Sequence, residues 1–220
     1  MNAIYNLWRW GRGFRHSLKN SAAFIKHRTM PMNTDLSILP ECYVDTNLIE
    51  TLAPPQKGYN HQKGCGTVAR RMQGKLKDSF AVGILDKDKK EIRYLREFDL
   101  KIDTDGLQLY RHRNMNKHHY LIFIKPAVEQ WMIGNAEETG ISLQNYGLPE
   151  TMEALKKITK KQTTKNDVRF KRLFRDLKKS NATKINTLAR WIRYLRQNAY
   201  ASDVNELSQK TRCNRRNRHE

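Results

Sequence analysis

Hydrophobic positions fall into two regimes along the chain. Between about residues 36 and 148, apolar runs of strand length alternate with stretches of helical period; beyond Pro149 only the helical period remains. In the first regime, Glu41-Cys42-Tyr43-Val44-Asp45 reads as a short strand ending in an acid, and Thr46 to Leu52 continues as helix until Pro54-Pro55 stop it. A polar, glycine-bearing loop from Gln56 to Gly66 feeds a second helix with Val68, Ala69, Met72 and Leu76 on one face. Phe80 to Leu85 is the second strand, followed by a charged helical stretch from Lys89 to Glu97. Leu107 to Arg111 and His119 to Ile124 read as strands joined across the Asn114-Met115-Asn116-Lys117 turn, and Pro126 opens a helix carrying Val128, Glu129, Trp131 and Met132. Strands alternating with helices predict an α/β domain over residues 36–148 with a small, mostly parallel sheet.

The second regime predicts a basic helical region over residues 149–200. Glu153 to Ile158 is a short helix, Thr159 to Asn166 a polar linker, and two amphipathic helices follow. One places Phe170, Leu173, Phe174 and Leu177 on a single face; the other does so with Ile185, Leu188, Ala189, Ile192 and Leu195, and Asp167 and Thr183 are their predicted N-caps. These faces would pack on each other as a helical hairpin or against the α/β body. Trp131, Trp191 and Tyr194 fall at helical spacing and are expected in the core. Residues 201–220 form a basic polar tail, too polar from Lys210 onward to fold alone. Residues 1–35 form a basic N-terminal extension without Asp or Glu up to position 29; it reads as an amphipathic surface or transit segment, or as an extension ahead of a start at Met30 or Met32.

Charge narrows the class of partner. The 220 residues carry 42 Lys and Arg against 22 Asp and Glu, a formal net charge of +20, and residues 151–220 hold 20 of the basic residues against 6 acids. Such a field attracts polyanions, nucleic acid before an acidic membrane surface. Lys57 and Lys63 in the glycine-bearing loop, with Lys171, Arg172, Arg175, Lys178, Arg190 and Arg193 on the amphipathic helices, are the predicted phosphate-backbone contacts. No apolar run reaches membrane-spanning length. The three cysteines, Cys42, Cys65 and Cys213, form no C-x-x-C pair, which fits a reducing, cytoplasmic setting; His61 and Cys65 lack partners at zinc spacing.

Within this basic chain, a few acids stand where α/β domains place chemistry. Asp45 follows the first strand, Asp86 and Asp88 the second, and Glu129 lies on the helix after the last, with Glu50 and Glu41 as weaker candidates. An oxygen-only set of this kind suits Mg²⁺ or Mn²⁺. The alternative role of each is structural: Asp45 as a helix N-cap, Asp86 and Asp88 as a solvated turn, Glu129 as an acid favoured by a helix dipole. His112, His118 and His119 flank the predicted hairpin and read as solvated turn residues.

The order Val44-Asp45, Ile84-Leu85-Asp86-Lys87-Asp88, then Pro126-Ala127-Val128-Glu129-Gln130-Trp131 resembles a Toprim domain of the kind found in OLD-family nucleases. Tyr43-Val44-Asp45-Thr46-Asn47-Leu48-Ile49-Glu50 is similar to the opening motif of PIN-domain ribonucleases. Either resemblance implies a Rossmann-like fold and a divalent-metal nuclease in which Asp45 is a metal ligand used with the Asp86 and Asp88 pair; the first adds Glu129. The expectation is therefore phosphodiester cleavage of DNA or RNA, against the alternative of a non-catalytic nucleic-acid-binding or complex-forming subunit. Whether a partner protein or a second copy of the chain takes part stays open.

Overall fold

A computed structural model of the chain describes residues 34–87 and 93–216, which lie in one compact unit, Asn33–Glu220. Residues 1–33 of the N-terminal extension, Asp88 and the start of the helix expected from Lys89 lie outside the described residues. The fold is α/β. Five strands, β1 (Ile38–Pro40), β2 (Ala81–Asp86), β3 (Phe98–Thr104), β4 (Leu107–His112) and β5 (His119–Ile124), form one open sheet in the order β1-β2-β5-β4-β3. β1, β2 and β5 run parallel, whereas β4 pairs antiparallel with β5 and β3 antiparallel with β4. The sheet is therefore mixed rather than mostly parallel.

The central strands are continuous apolar runs because both faces are covered. Alternation in β2 and β5 sends Val82, Ile84, Tyr120, Ile122 and Ile124 into one core and Ala81, Leu85, Leu121 and Phe123 into the other. Helices α1 (Tyr43–Leu52), α3 (Val128–Glu138), α5 (Val168–Lys179) and α6 (Thr183–Asn198) cover the first face. The second is covered by α2 (Cys65–Gln73) and the 3₁₀ turn Arg93–Glu97. A Cβ at Gly83 would stand 2.8 Å from Leu121 Cδ2 and 2.9 Å from Val68 Cγ1, so α2 packs closely only because that strand position is glycine.

Several elements differ from expectation. The first strand is Ile38–Pro40, and Tyr43–Asp45 are already helical. Cys42 starts the helix: its thiol accepts from Asp45 N–H at 3.4 Å while its own N–H donates to Asp45 Oδ2 at 3.1 Å, a reciprocal box that overrides the β-preference of Tyr43 and Val44. β3 was not expected; as an edge strand it exposes Asp99, Leu100 and Lys101 in succession, so no alternation marks it. Pro126 precedes the Ala127 cap instead of opening α3, and Ala182, not Thr183, caps α6, whereas Asp167 does cap α5.

The stretch expected as a polar linker is packed. α4 (Met152–Thr159) runs into a 3₁₀ turn, Gln162–Asn166, and buried Asn47 on α1 donates to the carbonyls of Thr164 at 2.7 Å and Asp167 at 3.1 Å. Those bonds satisfy backbone that otherwise needs water. α5 then lies on α1 through Phe170, Leu173, Phe174 and Leu177, all fully buried. The tail forms α7 (Val204–Arg216), held by buried Leu207 and by Thr211, which accepts from the Trp191 indole at 2.9 Å. Trp131, Trp191 and Tyr194 are core residues.

Candidate active site at the carboxyl edge of the sheet

Helices α1 and α3 follow the carboxyl ends of β1 and β5, α2 begins beside the end of β1, and buried acids stand at these junctions and at the end of β2. Glu41, just past β1, is 1% exposed and takes two backbone donors, Cys65 N–H at 3.0 Å and Asp86 N–H at 3.2 Å. One carboxylate thereby ties the end of β1 to the start of α2 and the end of β2. Asp86 in turn accepts from Val128 N–H at 3.0 Å and caps α3 from the end of the neighbouring strand. Asp45 closes the box at the start of α1 and is fully buried. Glu129, in the first turn of α3, accepts from the Thr159 hydroxyl at 2.5 Å and so faces α4.

The thiol of Cys42 registers how close these charges are. Its pKa is pushed well above the ordinary thiol value, first by burial, next by the charge of Asp45, and more weakly by that of Asp86. Asp45 and Asp86, from different strand ends, therefore bring their charges to one partly buried sulfur. Glu129 shares a helix end with the Asp86 cap but is turned toward Thr159. Among the described residues, no three His, Cys, Asp or Glu side chains stand as a group that could hold a metal ion. What the structure brings to one edge are Asp45 and Asp86, linked through consecutive residues: Glu41 accepts from Asp86 N–H, and Cys42 N–H donates to Asp45 Oδ2. Hard carboxylate oxygens in a pair suit Mg²⁺ or Mn²⁺, which bind one or two carboxylates and complete their shell with water and phosphate.

Beside this edge, the loop through His61 runs along β1. Asn60 N–H and Gln62 N–H donate to the carbonyls of Ile38 and Pro40 at 3.0 and 2.9 Å, extending the strand ladder and delivering His61 to the start of α1. Its ring stacks on Tyr43 with centroids 4.2 Å apart. The single hydroxyl proton of Thr46 goes to Cys42 O at 2.8 Å, so Thr46 accepts from His61 Nδ1–H at 2.9 Å. That fixes the Nδ1–H tautomer and leaves Nε2 without a hydrogen-bond partner among the described residues. Burial lowers the His61 pKa, and nearby Lys165 and Lys63 lower it further, so the ring is neutral at neutral pH. Glu50 is not with the other acids: it accepts from Tyr59 N–H at 3.3 Å and lies 3.9 Å from Lys165.

The basic candidates divide. Lys57, Lys63, Arg172, Arg175 and Arg193 are exposed, while Lys171 and Arg190 are half-buried. Lys178 is half-buried and donates to Leu52 O at 3.1 Å, closing the C-terminus of α1, and its pKa is lowered by that burial. The histidine expectation reverses: His112 and His119 are 4% and 0% exposed, held in a network with Tyr94 at the opposite end of β5. Sequence reasoning ranked Glu41 low and gave Cys42 no role. The Cys42-x-x-Asp45 spacing at a helix start was the available signal for one of them; for Glu41 there was none, since its partners lie 24 and 45 residues away.

In comparisons with known proteins, no family model, no curated protein and no solved structure matches the chain.

Proposed function

We propose that this chain is a divalent-metal-dependent phosphodiesterase acting on nucleic acid, with Asp45 and Asp86 as its inner carboxylates and a Toprim-like arrangement of strand-end acids. The observation that carries the reading is the link between Asp45 and Asp86 through the adjacent residues Glu41 and Cys42 at the carboxyl edge, where open α/β sheets hold their ligands. Asp88, next along the chain, would complete the acidic set, whereas Glu129, turned toward Thr159, would stand outside it. Mg²⁺ or Mn²⁺, when bound, supplies an activated water and stabilises charge on the leaving oxygen. Glu41 holds the β1 and β2 ends in register, which fixes the spacing of the two aspartates. Lys63 and Lys165 contribute a positive field at His61, and the exposed Arg172, Arg175 and Arg193 would contact backbone phosphates without reading sequence. No helix among the described residues is long and apolar enough to cross a membrane.

A second reading is favoured by the hydrogen bonds themselves. Asp45, Asp86, Glu41 and Glu129 each accept from a backbone N–H or a hydroxyl, which is what acids do in a binding subunit that catalyses nothing. Asparagine separates the two, because its carbonyl still accepts the capping N–H while the charge is lost. Single- and double-stranded DNA and RNA are incubated with Mg²⁺ or Mn²⁺ and wild type, Asp45→Asn or Asp86→Asn. The metal-centre reading expects cleavage to fall on the order of 100-fold in each variant while the fold is retained. Undiminished cleavage by both variants, or no cleavage by wild type on any substrate, overturns it; salt-sensitive binding in the latter case identifies the binding subunit.

A further inference from the structure

Beyond the acids, the same edge carries a cleft of about 670 Å³ between the β3–β4 turn, the start of α3 and α6. That volume is in the range of small-molecule sites. Lys125 and Lys184 stand in its wall; Lys125 pairs with Asp103 at 2.7 Å, and Lys184 with Asp105 at 3.1 Å and Glu138 at 3.7 Å. Asp105 is 85% exposed, so its pairing is weak and an incoming anion can share the ammonium. The floor is Trp131, whose residue is 3% exposed and whose indole N–H has no hydrogen-bond partner among the described residues. A buried donor left unmatched is costly, and few are tolerated in a native protein. The turn is shaped around that indole edge: Gly106 has φ +81°, and a Cβ there would sit 3.0 Å from Trp131 Cδ1 and Nε1 and 3.1 Å from Lys184 Cδ.

We propose that this cleft binds a nucleoside monophosphate, its phosphate between Lys125 and Lys184 and an acceptor of the ligand matched to the Trp131 N–H. Two ammonium groups call for a compact anion. Glu137 in the lining calls for ligand donors such as sugar hydroxyls or an exocyclic amine, and Met152 offers a polarizable apolar surface to a planar base. A nucleotide combines all three within the available volume. The choice of a nucleotide over another anion rests on the nucleic-acid reading above; the site itself does not need the metal.

The test is calorimetric titration of the full chain with each of the four ribonucleoside 5′-monophosphates and with the parent nucleosides, in EDTA so that the metal plays no part. Lys125→Gln combined with Lys184→Gln is expected to weaken nucleotide binding by about tenfold or more, and Trp131→Phe, which removes the N–H but keeps an aromatic side chain, by about threefold or more. A control pair, Lys75→Gln with Lys77→Gln at the opposite end of the sheet, removes the same charge and is expected to leave affinity within about twofold. Nucleosides lacking the phosphate are expected not to bind. Absence of nucleotide binding up to about 10 mM, equal weakening by the control pair, or unchanged affinity in both cleft variants overturns the proposal. Because no metal is present, nucleotide binding alongside failed cleavage removes the nuclease and leaves the cleft; cleavage without nucleotide binding does the reverse.

Discussion

The two ends of β2 and β5 bury ionisable groups in opposite ways. At the amino end, every ring nitrogen of two histidines is matched. His119 Nε2 donates to Leu76 O at 2.8 Å, so its Nδ1 accepts from Tyr94 OH at 2.5 Å. His112 Nδ1 accepts from Asn114 N–H at 3.0 Å and its Nε2 donates to Glu97 at 3.0 Å. Both rings are held neutral, with burial the main cause of their lowered pKa values. At the carboxyl end, the charges of Asp45 and, more weakly, Asp86 act on the Cys42 thiol, and Glu41 ties the ends of β1 and β2 behind them. A closed neutral network is a structural fastening. A collection of negative charge at strand ends is what a cation or phosphate chemistry would use, and the difference separates the two ends although both are buried.

The comparison breaks first at Glu41. Glu41→Ala leaves two buried backbone donors unmatched and is expected to cost about 3 kcal/mol or more in urea denaturation. Glu41→Gln keeps acceptor capacity for one of them and should cost less; equal losses would show that the two N–H bonds are not what Glu41 contributes. Tyr94→Phe at the amino end removes the donor to His119 and is expected to cost about 1–2 kcal/mol, with no effect on any metal-dependent property of the other end. If that variant also changed metal dependence, the two ends would not be separable.

Acid sharpens the contrast. Because the folded pKa values of His112 and His119 lie below the ordinary histidine value of 6.5, the unfolded chain binds more protons in that window. Their contribution is present in full above 6.5 and is lost as pH falls below it, so denaturation midpoints should decline on acidification. In His119→Gln this slope should flatten. An unchanged slope would move the acid sensitivity elsewhere, His61 being the next candidate. The smallest effect reads the acids directly: Asp45→Asn should speed alkylation of Cys42 near neutral pH more than Asp86→Asn does, following the order of their influence on the thiol. Peptide-resolved mass spectrometry distinguishes Cys42 from Cys65 and Cys213. Rates unaffected by either variant would refute the convergence.

What was legible in the sequence follows from how local each cause is. β2 and β5 read as strands because two-sided burial makes them uninterrupted apolar runs, and α5 and α6 read as helices because one face is apolar. β3 was hidden because its exposed edge needs no pattern, and the first strand was misplaced because Tyr43 and Val44 look extended until the Cys42–Asp45 box is known. Asp45 and Asp86 were legible as acids at element ends. Their meeting at Cys42 was not, since it depends on Glu41 bonding across β1 and β2, nor was the burial of the 162–166 turn, which depends on Asn47 of α1.

The measurement that bears most directly on the central claim is Mn²⁺ binding, followed by electron paramagnetic resonance of free Mn²⁺ in titrations of wild type, Asp45→Asn and Asp86→Asn, with Tyr94→Phe as the reference for the opposite end. The account predicts that wild type and Tyr94→Phe bind alike, and that either asparagine variant weakens binding by about tenfold or more while remaining folded. Wild type that binds no Mn²⁺, or asparagine variants that bind it as wild type does, would contradict a metal centre at Asp45 and Asp86.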